Sequence, residues 1–270
     1  MSMSVKVGFI GAGNMGGALI KGITKGDTDK KYQMFACDIN RKALDKLAAE
    51  TGIMPCKDAI ELVNVSDIVF IAVKPRYAKA VLEEIRDVLG NKILVSIVVG
   101  LPISWYKHIL GNNARVVRTM PNTPALVGEG MTLVCFDETL APHEKDSIME
   151  LLRYSGMAEE LEESLMDEVT ALTGSSPAYV FMFIEAMADA AVQSGIPRDK
   201  AYRLAAQAVL GSAKMVLETG KHPGELKDMV CSPAGTTIEA VAELEKAGFR
   251  SAIIRAMGEC TRKAREIGKQ

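Results

Sequence analysis

The sequence predicts an α/β N-terminal domain with a Rossmann-like, doubly wound sheet, followed by an all-helical C-terminal domain. Three observations carry this expectation. Short apolar runs alternate with amphipathic segments through the first half. A glycine-rich turn joins the first apolar run to the first helical segment. From about Leu165 no strand pattern remains, and the helical segments become apolar on most faces.

The elements follow in order. VKVGFI (5–10) is a short apolar run ending in glycines and reads as a buried strand. NMGGALIKGI (14–23) has helical spacing, and YQMFAC (32–37) reads as a second strand. NRKALDKLAAE (40–50) is amphipathic and opens on Asn40, a helix cap. DIVFIAV (67–73) is β-branched and bounded by Asp and Lys-Pro, hence a strand, and RYAKAVLEEIRDVL (76–89) is the next helix. KILVSIVV (92–99) and ARVVRTM (114–120) are further strands, and MTLVCF (131–136) extends the sheet. This rhythm predicts a parallel sheet covered on both faces.

In the second half, residues 176–195, 201–220, 237–248 and 249–268 form a set of helices rich in Ala and Met. Helices apolar on most faces need cover on most faces, so a second copy of the chain is expected to supply it, as an intertwined homodimer. A self-contained helical domain is the blander alternative. The expected division is a dinucleotide-binding domain over 1–163 and a helical dimerisation and substrate-binding domain over 164–270.

Composition narrows the classes of function. The chain has 270 residues, 48% hydrophobic and 24% charged, with a net charge of −2 and both signs interspersed. Nothing there suits a phosphate backbone or an anionic membrane, so neither nucleic acid nor membrane is an expected partner. No apolar run is long enough to span a bilayer and the first residues lack a signal-peptide pattern, so the expected location is cytoplasmic. Five scattered Cys and three His show no metal-ligand or disulfide spacing, and no metal is expected.

GAGNMG (11–16) places Gly11, Gly13 and Gly16 in G-x-G-x-x-G spacing. The pattern alone is weak, but here a strand precedes it, a helix follows, and an acidic residue lies further on. Gly11 allows the tight turn, Gly13 lets a pyrophosphate approach the backbone, and Gly16 lets the helix pack close. A glycine-rich turn without a ligand is the bland alternative. Asp38 stands where a ribose-binding carboxylate would favour NAD, whereas Asn40 and Arg41 follow at once, and a guanidinium there suits the 2′-phosphate of NADP. The residues divide on that choice. Two more loops lie at strand carboxyl ends, AVKP (72–75) and MPNTP (120–124), the latter presenting Asn122 as donor and acceptor; rigid turns would explain both equally well.

A dinucleotide domain joined to a helical domain implies hydride transfer. Reduction of a hydroxy acid's keto form calls for a His or Lys acid–base near the carbinol. None is conspicuous; Lys74 lies beside the cofactor site and Lys214 inside a helix of small residues. The absence fits an electrophile already activated, such as a protonated imine, which needs an anion pocket and a hydrogen-bonding group near nitrogen. CSPAGTTIEAV (231–241) offers one: Ser232, Gly235, Thr236 and Thr237 lead into a helix start rich in free N–H groups. A simple N-cap would account for one of these hydroxyls.

IGAGNMG (10–16), AVKP (72–75), MPNTPALV (120–127), TGSSPAYVFMFIEAMADAA (173–191) and HPGELKDMVCSPAGTTIEAV (222–241) together resemble the pyrroline-5-carboxylate reductase family along essentially the whole chain. The resemblance implies reduction of 1-pyrroline-5-carboxylate to L-proline, the last step of proline biosynthesis, with NADPH or NADH. It implies interlocked dimers, with further assembly open. It places the substrate carboxylate on the loop of Ser232, Thr236 and Thr237, with the Thr237 hydroxyl near the ring nitrogen and Glu163 at the same site. It assigns Gly11, Ala12, Gly13, Asn14, Met15, Ala72, Val73, Lys74 and Pro75 to the cofactor. One departure is visible: Ala234 stands where the family commonly has glycine, which matters only if that position needs a positive φ. The competing readings are a reductase of a small 2- or 3-hydroxy acid, using Lys214, and a non-enzymatic redox-sensing module that binds NAD(H).

Overall fold

β1 (Val5–Ile10) is buried over its last four residues and runs into the glycine turn that starts α1 (Asn14–Gly26). A computed structural model describes residues 4–267. β2 (Tyr32–Cys37) and α2 (Arg41–Thr51) follow, with Asn40 capping α2 by accepting the Ala43 N–H, as its sequence suggests. A two-residue β3 (Met54–Pro55) and α3 (Ala59–Val65) come next. β4 (Ile68–Ile71), α4 (Pro75–Leu89), β5 (Ile93–Ser96), α5 (Ile103–Leu110) and β6 (Arg115–Met120) complete the parallel part. β7 (Gly130–Phe136), α6 (Pro142–Arg153) and β8 (Gly156–Glu160) extend one sheet of order β3-β2-β1-β4-β5-β6-β7-β8.

The all-parallel expectation needs one correction. β7 pairs antiparallel with β6, because the nine residues between them hold only a 3₁₀ turn and no crossover helix. β8 then returns parallel to β7 through α6. The strand expected over 92–99 ends at Ser96, whose Oγ accepts the Val98 N–H and turns the chain out of the ladder. Each face of the sheet carries its own core. One gathers Leu62, Ile85, Leu94, Tyr106 and Val116; the other gathers Phe9, Leu19, Ile23, Phe70 and Leu151, with Phe9 and Phe70 stacked at 4.4 Å. Both sheet faces are therefore covered, and the strand runs read as continuous apolar stretches for that reason.

Contacts divide the chain into two compact units: one runs to Gly174 and includes the segment from Thr261 on, the other is Ser175–Cys260. The second contains α7 (Ser176–Gln193), α8 (Arg198–Thr219), α9 (Pro223–Val230), α10 (Thr236–Lys246) and most of α11 (Phe249–Ile267). α7 packs along α8, yet among the apolar residues of this unit only Ala188, Ala201 and Ala205 are buried. Phe181, Met182, Leu204 and Leu217 are each more than half exposed, so the unit leaves large apolar side chains uncovered. Among the described residues no helix is long and apolar enough to cross a membrane.

Candidate active site

The turn between β1 and α1 is held from three sides. Gly11 N–H donates to the Cys37 carbonyl, Ala72 N–H donates to the Ile10 carbonyl, and Ala12 N–H donates to Asp38 Oδ2 at 2.7 Å. Gly11 adopts φ +99°, and a Cβ there would stand 2.6 Å from the Ala72 carbonyl oxygen. A Cβ on Gly16 would stand 2.4 Å from the Gly11 carbonyl oxygen, so α1 packs against the turn only because residue 16 has none. Gly13 differs: nothing lies within 4 Å of its missing Cβ, so this glycine faces open space. It is the N-cap of α1 and provides no side-chain acceptor, which leaves the first-turn N–H groups of Asn14, Met15 and Gly16 to bind an anion.

That space is a cleft of about 720 Å³ at the carboxyl ends of β1, β2 and β4. Gly11, Gly13, Asp38, Arg41, Ala72, Val73 and Lys74 line it, while Pro75 opens α4 beside it. Asp38 Oδ2 takes the Ala12 N–H and Oδ1 the Asn40 N–H, so the carboxylate braces the glycine turn while each oxygen keeps a further lone pair. Arg41 donates from Nη1 to the Cys56 carbonyl at 2.7 Å and from Nη2 to the Lys57 carbonyl, closing one end of the cleft. Lys57 and Arg76 add two cations that the sequence reading did not single out. Lys57 follows a two-residue strand with no pattern of its own, whereas Arg76 was within reach, directly after Lys-Pro. Burial pushes the Cys37 thiol, also in the wall, up to about 12, so it stays neutral. A second cavity of about 500 Å³ lies at the opposite, amino-terminal ends of the strands, where Arg115 is already paired with Glu144. Doubly wound sheets bind nucleotides at the carboxyl ends, so the first cleft is the candidate.

The cleft fits a dinucleotide on these grounds: a glycine with open space before it, an uncapped helix start, and cations at its edge. Asn122 and Glu163 lie elsewhere in the same unit. The Asn122 amide donates to the Thr173 carbonyl and accepts the Met131 N–H, clamping the loop after β6. Glu163 Oε1 accepts the Ile103 N–H at 2.7 Å, at the start of α5, and lies 3.3 Å from Arg118 Nη1.

In the helical unit, Cys231–Gly235 joins α9 to α10. Gly235 N–H donates to the Ser232 carbonyl at 3.0 Å, closing a turn with Pro233 and Ala234 at its centre. Pro at the first central position and a positive φ at the second are the type II pattern, and Ala234 has φ +54°. The position does need a positive φ, and alanine bears it. Gly235 is the N-cap of α10 without a side-chain bond, and the Ser232, Thr236 and Thr237 hydroxyls make no hydrogen bond among the described residues. The capping explanation therefore accounts for none of the three hydroxyls. Lys214, the alternative acid–base, is exposed and lies 3.4 Å from Glu218.

Relief of the strain at Ala234 is directly measurable. The left-handed region costs an L-residue about 1–2 kcal/mol, and glycine returns about 0.4–1 kcal/mol of that through the freedom of the unfolded chain. Ala234→Gly is expected to raise the unfolding free energy by a net amount of about 0.5–1 kcal/mol, read as a higher urea midpoint at unchanged m; an unchanged or lower midpoint would show the turn is not strained.

The family model described as pyrroline-5-carboxylate reductase dimerisation matches residues 163–267, and one described as NADP oxidoreductase, coenzyme F420-dependent, matches 6–100. The chain is 47% identical to pyrroline-5-carboxylate reductase of Escherichia coli K12, over 99% of this chain and 100% of that one. A pyrroline-5-carboxylate reductase structure from Coxiella burnetii superposes with a TM-score of 0.90 at 32% identity, covering 98% of this chain and 99% of the other. A Plasmodium falciparum pyrroline carboxylate reductase with NADP bound gives 0.87 at 33%, covering 98% of each. A glycine-turn cleft in a doubly wound sheet, a helical unit with uncovered apolar faces, and identity of this extent along the whole chain lead to one assignment: the chain belongs to the pyrroline-5-carboxylate reductase family.

Proposed function

We propose that the protein reduces 1-pyrroline-5-carboxylate to L-proline, the closing step of proline biosynthesis, with NADPH as the preferred reductant. The observation that carries the substrate assignment is the loop before α10, which presents three unspent hydroxyls beside an uncapped helix start. Thr236 and Thr237 N–H groups and the Ser232 hydroxyl receive the substrate carboxylate, aided by the positive end of the helix dipole. The Thr237 hydroxyl faces the ring nitrogen and orients the protonated imine. Gly235 keeps the loop closed.

Gly11, Ala12, Gly13, Asn14, Met15 and Gly16 hold the pyrophosphate, and Ala72, Val73, Lys74, Pro75 and Asn122 line the remainder of the cofactor's path. When bound, the reduced nicotinamide supplies the hydride that the imine carbon accepts. Arg41 gives one N–H each to the Cys56 and Lys57 carbonyls, and its remaining N–H groups together with the Lys57 ammonium are suited to a 2′-phosphate beside Asp38. This favours NADPH, with NADH as a secondary reductant. The Plasmodium relative with NADP bound points the same way.

We also propose that residues 164–270 act as the dimerisation and substrate-binding domain and 1–163 as the dinucleotide domain. The exposed Phe181, Met182 and Leu217 are the faces a second copy covers. The five unpaired thiols are the state a reducing compartment maintains, which supports the cytoplasm as the site of action.

The test is loss of reduced-nicotinamide absorbance on adding 1-pyrroline-5-carboxylate, with NADPH and NADH in parallel. Substrate-dependent oxidation, faster with NADPH, is expected; no oxidation with either cofactor rejects the activity. Thr237→Ala is expected to lower kcat by about tenfold to a hundredfold through lost orientation, with NADPH affinity unchanged. An equal loss of NADPH affinity would assign the loop a different task.

A further inference from the structure

Among the described residues Arg118 is the one buried arginine, with its side chain 7% exposed on the sheet. It lies on β6 opposite Ser96 of β5. A buried guanidinium needs partners, and it has two: Glu163 Oε1 at 3.3 Å and Asp167 Oδ1 at 2.7 Å. Both carboxylates belong to the segment after β8.

The pairing reaches beyond the ion pairs. The same Glu163 oxygen accepts the Ile103 N–H, so Arg118 fixes the group that caps α5. Ser96, across the ladder, holds the other end of the same connection: its Oγ accepts the Val98 N–H at 3.1 Å and shares a hydrogen bond with the Tyr106 hydroxyl. Thr119, next to Arg118, donates to the Ser96 carbonyl at 2.9 Å. The β5–α5 connection, residues 97–102, is thus tied at Val98 by Ser96 and at Ile103 by Glu163, the half-buried partner of the Arg118 guanidinium. A void of about 10 Å³ bounded by Val98, Val99, Gly100, Arg118 and Asp167 shows how little room separates the guanidinium from that connection.

The β5–α5 connection leaves the carboxyl end of β5. A dinucleotide whose adenosine half occupies the cleft over β2 extends its other half toward the carboxyl ends of β4 to β6. We propose that Arg118 is a positioning residue for hydride transfer: through Glu163 and Asp167 it sets the β5–α5 connection against which the reactive end of the cofactor is placed, without touching cofactor or substrate. This rests on the reductase reading. It adds a residue that the motifs did not single out and gives Glu163 a task toward Arg118 and α5.

The test uses the full-length protein. Arg118→Met keeps the length and removes the charge; Glu163→Gln keeps an acceptor for the Ile103 N–H and weakens only the attraction to Arg118. For Arg118→Met, kcat is expected to fall about 10- to 100-fold. The NADPH dissociation constant, read by fluorescence titration, should stay within about twofold, because the adenosine cleft and glycine turn are untouched. The Val98 and Ile103 amides should lose hydrogen-exchange protection in the cofactor-free protein. Arg118→Lys should recover part of kcat and part of the protection. Glu163→Gln should give a smaller loss of both, and it carries the test by itself if Arg118→Met does not fold. Wild-type kcat with unchanged protection at Val98 and Ile103 in the variants overturns the proposal. So does a drop in NADPH affinity as large as the drop in kcat. Inactivity of the wild-type protein toward the imine would instead reject the reductase reading, and the exchange result would stand apart from it.

Discussion

Gly11→Ala is expected to weaken NADPH binding by about two orders of magnitude and to destabilise the protein, whereas Gly13→Ala weakens binding and leaves stability where it is. The two glycines sit two residues apart in one turn, but they lack a side chain for different reasons. At Gly11 the backbone has φ +99° and a Cβ would meet the Ala72 carbonyl oxygen at 2.6 Å. That oxygen belongs to backbone and cannot rotate away. The positive φ alone costs an alanine about 1–2 kcal/mol. Moving the turn to relieve the contact strains the Gly11–Cys37 and Ala12–Asp38 hydrogen bonds as well. The displaced turn no longer offers its N–H groups to the pyrophosphate. At Gly13 the missing Cβ has nothing within 4 Å and φ is −68°. An alanine there fits the empty protein and obstructs only what enters the cleft. Thermal unfolding with and without NADPH, together with fluorescence titration, separates the cases. Equal losses of stability would show that Gly13 is structural too; unchanged NADPH affinity in Gly13→Ala would remove the glycine turn from the cofactor site.

The residues that made this legible in the sequence are those whose pattern is local. Gly11, Gly13 and Gly16 sit at fixed spacing after an apolar run, and Asn40 opens an amphipathic segment; the structure puts a turn and a cap at those places. The connections decided by distant partners were not legible. The reversal of β7 depends on the absence of a crossover helix between Met120 and Gly130, and the 3₁₀ turn that fills that interval has no strong sequence signal. β3 is two residues long and exposed, too short for any periodicity. Asp38 shows the same limit at the site. Its position predicts a ribose contact, and its second task, accepting the Ala12 and Asn40 N–H groups, is a partnership only the folded turn reveals. Ala234 was legible as a departure, and only the φ of +54° shows that the departure carries strain.

Gly235→Ala is expected to reduce kcat/KM for 1-pyrroline-5-carboxylate by at least about a hundredfold while NADPH affinity stays within about twofold of the wild type. A Cβ on residue 235 would stand 2.3 Å from Ser232 Oγ and 3.1 Å from the Ser232 carbonyl oxygen. The hydroxyl can rotate; the carbonyl cannot, because it accepts the Gly235 N–H that closes the turn. Alanine therefore turns Ser232 Oγ away from its present direction or opens the turn. Either change separates the Ser232 hydroxyl from the first-turn N–H groups of α10, the two halves of the proposed carboxylate pocket. The φ of −83° at Gly235 is open to any residue, so the effect arises from contact and not from backbone conformation. A substrate-free control follows from that: Gly235→Ala should retain the α-helical circular dichroism of the wild type, since α10 keeps its N-cap geometry. Losing two or more charge-assisted hydrogen bonds to the carboxylate costs about 3–4 kcal/mol, a loss of at least about a hundredfold in kcat/KM. The Ser232→Ala, Gly235→Ala double variant then becomes informative. With the hydroxyl removed, the added methyl has more room, and the second substitution should cost less than it does alone. Full additivity of the two losses would mean that the contact between residues 232 and 235 does not shape the pocket.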